Sequence, residues 1–219
     1  MNRKVISRSS WRALGAVVFA ILISRDVSAE QVALFDGKTF AGWEGNTTSV
    51  WRIEQGEIVA GRPDVKQAKN DFLCTTREFG DFELRVKYKR GHNNGGIQFR
   101  SQRVPGSNEV SGYQADFAKD IDGFLYDESR RRKFVAQPDA ETIKKLNLGE
   151  WNNYRIRAEG RRIRLWVNDV LTVDYTEADA TIPQKGIIGL QIHAHATEIR
   201  YKDLVIEELG ETPAHPLNR

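Results

Sequence analysis

Residues 81–89 read DFELRVKYK, and this stretch decides the fold class of the chain. Phe82, Leu84, Val86 and Tyr88 alternate with charged residues, so one face of the segment is apolar and the other is polar. A period of two is typical of a β-strand that buries one face and exposes the other to water. Sheets with one buried and one wet face are most often antiparallel.

The same alternation recurs along the chain. Residues 153–159, 162–167 and 170–175 are separated by short polar turns, which predicts a three-stranded meander. Further strands are predicted at 50–54, 57–60, 71–76, 95–101, 110–117, 186–193 and 198–207. Residues 139–146 predict two helical turns, with Asp139 as the N-cap. Many short strands separated by turns predict an all-β sandwich or barrel that forms one domain over residues 30–209.

The first 29 residues have the three parts of a secretory signal peptide. Residues 1–12 are basic, residues 13–24 are apolar, and Val27 and Ala29 are small residues before Glu30. We therefore predict export to the periplasm or the outside, because the apolar run is shorter than the roughly 20 residues of a membrane span. An uncleaved N-terminal anchor is the alternative. At the other end, residues 210–219 predict a disordered tail.

The formal net charge of +3 would favour a polyanionic partner. However, five of the 33 basic residues and one of the 30 acidic residues lie in the first 29 positions, so the remainder carries 28 against 29. The basic run at 130–133 lacks interleaved aromatic residues, so a surface ion network explains it better than a phosphate or nucleic-acid site does. We therefore predict no nucleic-acid partner. Cys74 is the only cysteine, which excludes an intrachain disulfide and predicts a buried strand residue.

Two neighbouring segments place polar side chains on predicted strand faces. In residues 93–101 (NNGGIQFRS), Gln98 and Arg100 are expected to share one face. In residues 112–116 (GYQAD), Gln114 and Asp116 project together and Tyr113 projects oppositely. For residues 93–101 alone, a solvated strand face with an ordinary salt bridge is the favoured interpretation.

A third polar segment is residues 189–195 (GLQIHAH), where Gln191, His193 and His195 share one predicted strand face. Two imidazoles side by side suit a divalent metal, or a base beside a hydrogen-bonding partner. Two histidines at a strand end in solvent are the alternative. Trp151, at a strand start, suits either stacking on a sugar ring or packing at the rim of the core.

The ordered set of segments resembles the bacterial 3-keto-disaccharide hydrolase domain, also described as a 3-keto-glycoside lyase/hydratase. The resemblance covers residues 32–209, and its order and spacing are more specific than any one motif. It implies a concanavalin-A-like jelly roll of two antiparallel sheets, one of which curves to form a substrate groove. The matching segments are LFDGKTFAGWEG (34–45), WRIEQGEIVAG (51–61), FGDFELRVKYK (79–89), NNGGIQFRSQ (93–102), GYQADF (112–117), GEWNNYRIRAEGRRIRLWVNDV (149–170) and GIIGLQIHAHATEIRYKDLVIEEL (186–209).

The chain departs from the pattern of that family at two places. Family members often carry Tyr-Glu-Val-Gln where residues 113–116 read YQAD, and Gln-Asp-His-Gly where residues 191–194 read QIHA. A glutamine at position 114 argues against an acid or base role there, so Asp116 becomes the candidate for that role. His193 matches the histidine of the family pattern. The segment GYQAD followed by LYDESRR (125–131) resembles a subgroup with a different substrate.

The resemblance implies a substrate that is an oxidised (3-keto) oligosaccharide or glycoside. A ketone at C3 acidifies the C2 proton, so a base removes it, the C1 substituent is expelled, and water adds back. His193 is implied as the base, Arg100 or a metal held by His193 as the partner of the enolate, and Asp116 or Glu128 as the acid or a second metal ligand. The resemblance leaves open whether the site binds one divalent metal ion, for which His193 and His195 are the candidate ligands. Sugar contacts are expected from Gln98, Tyr113, Gln114, Tyr126, Trp151 and Gln191.

Two other classes of function fit the same residues. The jelly roll also hosts lectins, so a non-catalytic carbohydrate-binding module is the main alternative, and a purely structural interaction domain is the third. The enzyme hypothesis requires the polar faces of the three segments to converge around a histidine or carboxylate with a shifted pKa.

Overall fold

The computed structural model describes residues 30–210. The signal peptide predicted for residues 1–29, and residues 211–219 of the tail predicted for 210–219, lie outside the described residues. Within residues 30–210, no helix is long and apolar enough to cross a membrane. In chain order the elements of this part are β1 (Gln31–Ala33), β2 (Trp43–Glu44), β3 (Trp51–Glu54), β4 (Glu57–Gly61), β5 (Asp71–Thr75), β6 (Phe82–Lys89), β7 (Gly95–Arg103), β8 (Val110–Phe117), β9 (Phe124–Glu128), β10 (Lys133–Ala136), α1 (Ala140–Ile143), β11 (Asn152–Glu159), β12 (Arg162–Val167), β13 (Val170–Thr176), β14 (Ile187–Ile192) and β15 (Glu198–Glu208).

The strands form two antiparallel sheets, so the predicted all-β jelly-roll sandwich is confirmed. Sheet I has the strand order β13-β12-β11-β6-β15-β4-β3, and β1 pairs with β15. Sheet II has the strand order β10-β9-β8-β7-β14-β5-β2. The predicted meander is the β11-β12-β13 end of sheet I. Strands that are distant in sequence, such as β7 and β14, lie next to each other in sheet II, and this topology gathers the polar segments.

The core lies between the two sheets and is rich in aromatic side chains. Phe82, Leu84, Val86 and Tyr88 of β6 are each at most 2% exposed, as their alternation predicts. Tyr88 stacks on Phe117 of β8 with 4.3 Å between ring centroids, which joins sheet I to sheet II. Buried aromatic pairs of this kind contribute packing beyond the area that they bury.

Some elements differ from the sequence-based prediction. The helix is shorter than predicted and spans Ala140–Ile143, but Asp139 caps it as expected, accepting a hydrogen bond from the Thr142 backbone at 2.7 Å. Strands β1, β2, β9 and β10 were not predicted because they are short and lack clear alternation. Strand β14 ends at Ile192, one residue before His193.

A β-bulge in β7 overturns the predicted position of Arg100. The pairing of β7 with β8 shifts register between Phe99 and Gln102, and Arg100 adopts a positive φ of 46°. The bulge turns the Arg100 side chain away from the face of Gln98 and towards sheet I. There its Nη2 pairs with Asp81 at 2.6 Å and its Nε donates to the Gly80 carbonyl at 3.1 Å. Its Nη1 donates to the Gly160 carbonyl, so all three guanidinium nitrogens are bound to residues of sheet I and its turns. Arg100 therefore holds the two sheets together and is not available to an enolate.

We expect Arg100→Ala to lower the free energy of unfolding by roughly 3–5 kcal/mol, because it removes the buried cation that pairs with the Asp81 carboxylate and that bonds the Gly80 and Gly160 carbonyls. Urea unfolding measures this change. Lys87→Ala is the matched control, since its ion pair with Asp203 is exposed and such pairs contribute about 0–1 kcal/mol. Equal, small losses for both variants would contradict a structural role for Arg100.

Candidate functional site

The outward face of sheet II gathers polar side chains from the three segments singled out in the sequence. Gln98 of β7 is in register with Gln114 of β8, which is in register with Tyr126 of β9. In the next row Gly96 of β7 lies between Gln191 of β14 and Asp116 of β8. The convergence that the enzyme hypothesis requires therefore occurs. We use the name polar face cluster for Gln98, Gln114, Asp116, Glu128 and Gln191.

A chain of hydrogen bonds orients the amides of this cluster. Ser101 Oγ donates to Gln98 Oε1 at 2.9 Å, and Gln98 Nε2 donates to Gln114 Oε1 at 2.6 Å. Gln114 Nε2 then donates to Asp116 Oδ1 at 3.2 Å, and the Phe117 backbone donates to the same oxygen at 3.1 Å. Each amide uses its oxygen towards one neighbour and its nitrogen towards the next, so the chain fixes every orientation and ends at the Asp116 carboxyl.

Glycines beneath the cluster give the amides room to lie along the sheet. A Cβ at Gly96 would stand 2.5 Å from the Gln114 side chain. A Cβ at Gly189 would stand 2.9 Å from Cys74 Sγ and 3.3 Å from Gln98 Cβ. Glycine inside a strand often marks such a close approach, so these two positions serve the cluster directly.

The neighbourhood of Gln191 contains two buried oxygens without partners. Gln191 is fully buried, and its Nε2 donates to Glu128 Oε2 at 3.3 Å. Among the described residues, Gln191 Oε1 and Asn94 Oδ1 are buried and have no hydrogen-bond partner. The backbone carbonyl of Asn94 accepts a hydrogen bond from the His193 backbone N–H at 3.2 Å. Asn94 therefore lies beside the turn that contains His193. An unsatisfied buried acceptor costs about 1–3 kcal/mol, so both oxygens are suited to a donor supplied by a ligand.

Burial shifts the acidity of both carboxyl groups in the cluster. It raises the pKa of Asp116 to about 7, against the opposing effect of the Gln114 and Phe117 hydrogen bonds, and the charges of Glu128 and Asp122 raise it further. Burial also raises the pKa of Glu128, and the charge of Glu109 adds to this, while the nearby His193 lowers it. Asp116 therefore exchanges its proton near neutral pH, which is the range that general acid–base catalysis requires.

His193 lies in a turn next to the cluster and is partly buried. Its Nδ1 is 2.9 Å from the Ala194 carbonyl oxygen. Because a carbonyl only accepts hydrogen bonds, Nδ1 carries the proton of the neutral ring, and Nε2 is left as the basic nitrogen. This tautomer suits the role of a base.

The predicted pairing of His193 with His195 on one strand face is wrong, because β14 ends before both residues. His195 is exposed, adopts a left-handed φ of 69°, and its backbone donates to the Gln67 carbonyl. In the part of the chain that the structure describes, no group of three or more histidine, cysteine, aspartate or glutamate side chains is placed to hold a metal ion. A divalent metal at His193 stays a prediction.

Two of the expected sugar contacts lie away from the cluster. Tyr113 faces the core, is 1% exposed, and its hydroxyl donates to Glu177, because neighbours along a strand project to opposite faces. Trp151 precedes β11 in sheet I, where the Lys202 ammonium lies 3.8 Å from its ring centroid. The structure therefore removes Tyr113 and Trp151 from the set of site residues, whereas Tyr126 remains in it.

Arg130 and Arg131, the first half of the basic run at residues 130–133, belong to an ion network. Arg130 Nε pairs with the fully buried Asp127 at 3.0 Å, and Arg131 pairs with both Asp127 and Glu177. Burial alone would raise the pKa of Glu177, but hydrogen bonds from Arg131 and Tyr113 lower it to about 2. This finding supports the ion-network interpretation of the run.

Residues that the sequence did not single out cover one side of the face. The tip of the β7–β8 hairpin, residues 104–109, is tied to the segment before β5 by a hydrogen bond from the Asn108 side chain to the Asn70 carbonyl. Phe72, Cys74 and Val110 are buried together on this side. Burial raises the pKa of the Cys74 thiol to about 12, so it is a packing residue as predicted. A bond between two loops has no local sequence signal, which explains why it was missed.

The fold is shared with carbohydrate-active and carbohydrate-binding proteins. A protein from Parabacteroides distasonis, provisionally assigned as a glycosyl hydrolase, aligns with a TM-score of 0.61 at 18% identity, over 82% of this chain and 94% of that one. A carbohydrate-binding module from Bacillus subtilis aligns with a TM-score of 0.57 at 16% identity, over 76% of this chain and 96% of that one. At these identities the likeness concerns the jelly roll alone.

The sequence itself identifies the family. Residues 30–207 match the family model described as a 3-keto-alpha-glucoside-1,2-lyase-like domain, and the chain belongs to this family. A 3-keto-disaccharide hydrolase from Bacteroides thetaiotaomicron is 33% identical over 81 residues. That stretch spans 33% of this chain and 28% of the relative, so the chain matches less than a third of the relative's length.

The raised pKa of Asp116 predicts how stability depends on pH. Between about pH 4 and 7 the unfolded state loses this proton and the folded state keeps it, so folding becomes less favourable as pH rises. Relative to Asp116→Asn, we expect the wild type to lose up to roughly 4 kcal/mol across this window. Urea unfolding of both proteins at pH 4, 6 and 8 measures the difference, and a difference that does not change with pH would contradict the shift.

Proposed function

We propose that this chain is a carbohydrate-active enzyme that cleaves 3-keto-glycosides by removal of the C2 proton, elimination of the C1 substituent and addition of water. Membership of the family supports the substrate class. The observation that carries the proposal is the Asp116 carboxyl, whose pKa is raised to about 7 at the end of an ordered amide chain. A surface built only to bind sugar has no need of such a group.

The roles follow from the protonation states. His193 Nε2 is the base that takes the C2 proton, because Nδ1 is held by the Ala194 carbonyl. Asp116 is the acid that gives its proton to the departing C1 oxygen. When water adds to the double bond, Asp116 takes a proton from the water whose oxygen bonds to C1, and His193 returns its proton to C2, so both groups recover their starting states. Since Arg100 is committed to Asp81, the donor to the enolate oxygen comes from the side-chain amides of the cluster, because each NH2 group keeps one N–H beyond the hydrogen bond that orients it.

The two unpaired oxygens near His193 support a neutral, hydroxyl-rich ligand. Gln191 Oε1 and Asn94 Oδ1 both accept hydrogen bonds, and sugar hydroxyls donate them. A site that holds a polar group for each hydroxyl rejects analogues that lack it, because the group is then left unpaired. The sequence-based prediction of an exported protein completes the proposal, with the oxidised sugar met in the periplasm or outside the cell.

The test is turnover of 3-keto-glucosides of both anomers by the purified protein. We expect His193→Ala to lower kcat by at least roughly 100-fold, as for the loss of a general base. His195→Ala is the matched control and should retain turnover, because its side chain is exposed outside the cluster.

Unchanged turnover by His193→Ala would remove the base from this assignment. Loss of turnover in chelator, together with loss in His195→Ala, would instead assign a metal to the histidine pair. Binding of unoxidised glycans without turnover of any keto-sugar would establish the carbohydrate-binding alternative.

The acid role of Asp116 predicts the pH dependence of the rate. An acid must be protonated to act, so kcat/KM should fall as pH rises above about 7. Asp116→Asn should remove this limb of the profile and lower the rate by roughly 100-fold or more, except with a leaving group that needs no proton, such as p-nitrophenolate. A profile that is flat from pH 6 to 9 in the wild type would contradict the role.

A further inference from the structure

An aromatic side chain extends the polar row of sheet II into solvent. Phe134 of β10 is in register with Tyr126 of β9, so the row Gln98–Gln114–Tyr126 continues to Phe134. Along this row the side chains change from fully buried at Gln98, through 2% exposed at Gln114 and half-buried at Tyr126, to 40% exposed at Phe134. The row is therefore inaccessible to solvent at its β7 end and accessible to solvent at its β10 end.

Three rings make Phe134 a rigid surface. Its ring lies 5.1 Å from Tyr126 and 5.2 Å from Phe124, with interplanar angles of 66° and 74°. Edge-to-face contacts of this kind hold aromatic rings in place. The other large apolar side chains that are exposed within residues 30–210 are aliphatic, which sets Phe134 apart from the scattered exposure that any surface shows.

The three-ring cluster borders the acid that the proposed reaction uses. Burial raises the pKa of Tyr126, and the charges of Glu128 and Asp116 raise it further, so the tyrosine lies within electrostatic reach of both carboxyl groups. Strands are spaced about 4.8 Å apart, which puts the backbone of β10 about 10 Å from that of β8. Asp116 lies in the neighbouring row, where its register partner on β9 is Phe124, and Phe134 packs against Phe124 from β10. A ligand bound at Asp116 that extends across β9 therefore reaches Phe134.

We infer that Phe134, supported by Tyr126 and Phe124, is the stacking platform for the leaving-group sugar of a 3-keto disaccharide. This inference rests on the proposed function. Pyranose rings carry apolar C–H faces, and a fixed aromatic ring at the open end of the row offers them a matching surface. The enzyme therefore selects glycosides whose leaving group is itself a sugar ring, rather than small alkyl glycosides.

The test compares a 3-keto disaccharide that has glucose as its leaving group with methyl 3-keto-glucoside, whose leaving group has no ring. We expect Phe134→Ala to lower kcat/KM for the disaccharide by roughly three- to tenfold and to leave the methyl glucoside unchanged. Phe134→Tyr keeps a ring and should retain activity on both substrates. Leu171→Ala removes an equally exposed apolar side chain from sheet I and should change neither. Equal losses on both substrates, or no loss on the disaccharide, would overturn the platform.

A binding measurement separates the platform from the reaction. Isothermal titration of wild type and Phe134→Ala with unoxidised maltose involves no chemistry, so it reports on stacking even if neither keto-sugar is turned over. Weaker binding by Phe134→Ala than by the wild type supports the platform. Equal binding by the two proteins, or no binding by the wild type, overturns it.

Discussion

Burial of the Asp116 carboxyl at the end of a hydrogen-bonded row of amides is the constraint on which the site depends. The row exists because Gln98 and Gln114 are cross-strand partners and because Gly96 and Gly189 leave space for their side chains. Burial favours the protonated carboxyl, while the row and the Phe117 backbone hold its Oδ1 in one position. The same geometry thus supplies both the pKa and the orientation that an acid needs.

The departure of this chain from its family has a physical meaning in that arrangement. A glutamine at position 114 cannot act as an acid or a base, but its amide both accepts from Gln98 and donates to Asp116. A carboxylate at 114 would accept only and would break the direction of the row. In the proposed reaction the proton-transferring group is therefore Asp116, the next side chain on the same face of β8, and Gln114 is the residue that positions it.

Much of the fold could be predicted from the period-two pattern, because in half-buried strands such as β6 and β11 every second residue is apolar and marks the buried face. The polar faces of β7 and β8 were predictable for the same reason. The position of Arg100 was not, since a bulge changes the direction of a side chain without a sequence signal as clear as alternation. His195 was misplaced because β14 ends three residues before it, at Ile192. Phe134 was missed because its proposed role depends on a register with Tyr126 that only the folded sheet defines.

The most direct measurement of the central claim is a pH titration of the side-chain carboxyl carbon of Asp116 by NMR, assigned by comparison with Asp116→Asn. We predict a midpoint of about 7, well above the ordinary value of 3.8. A midpoint near 3.8 would mean that the carboxyl is ionised at neutral pH, and it would contradict the role of Asp116 as the acid of the site.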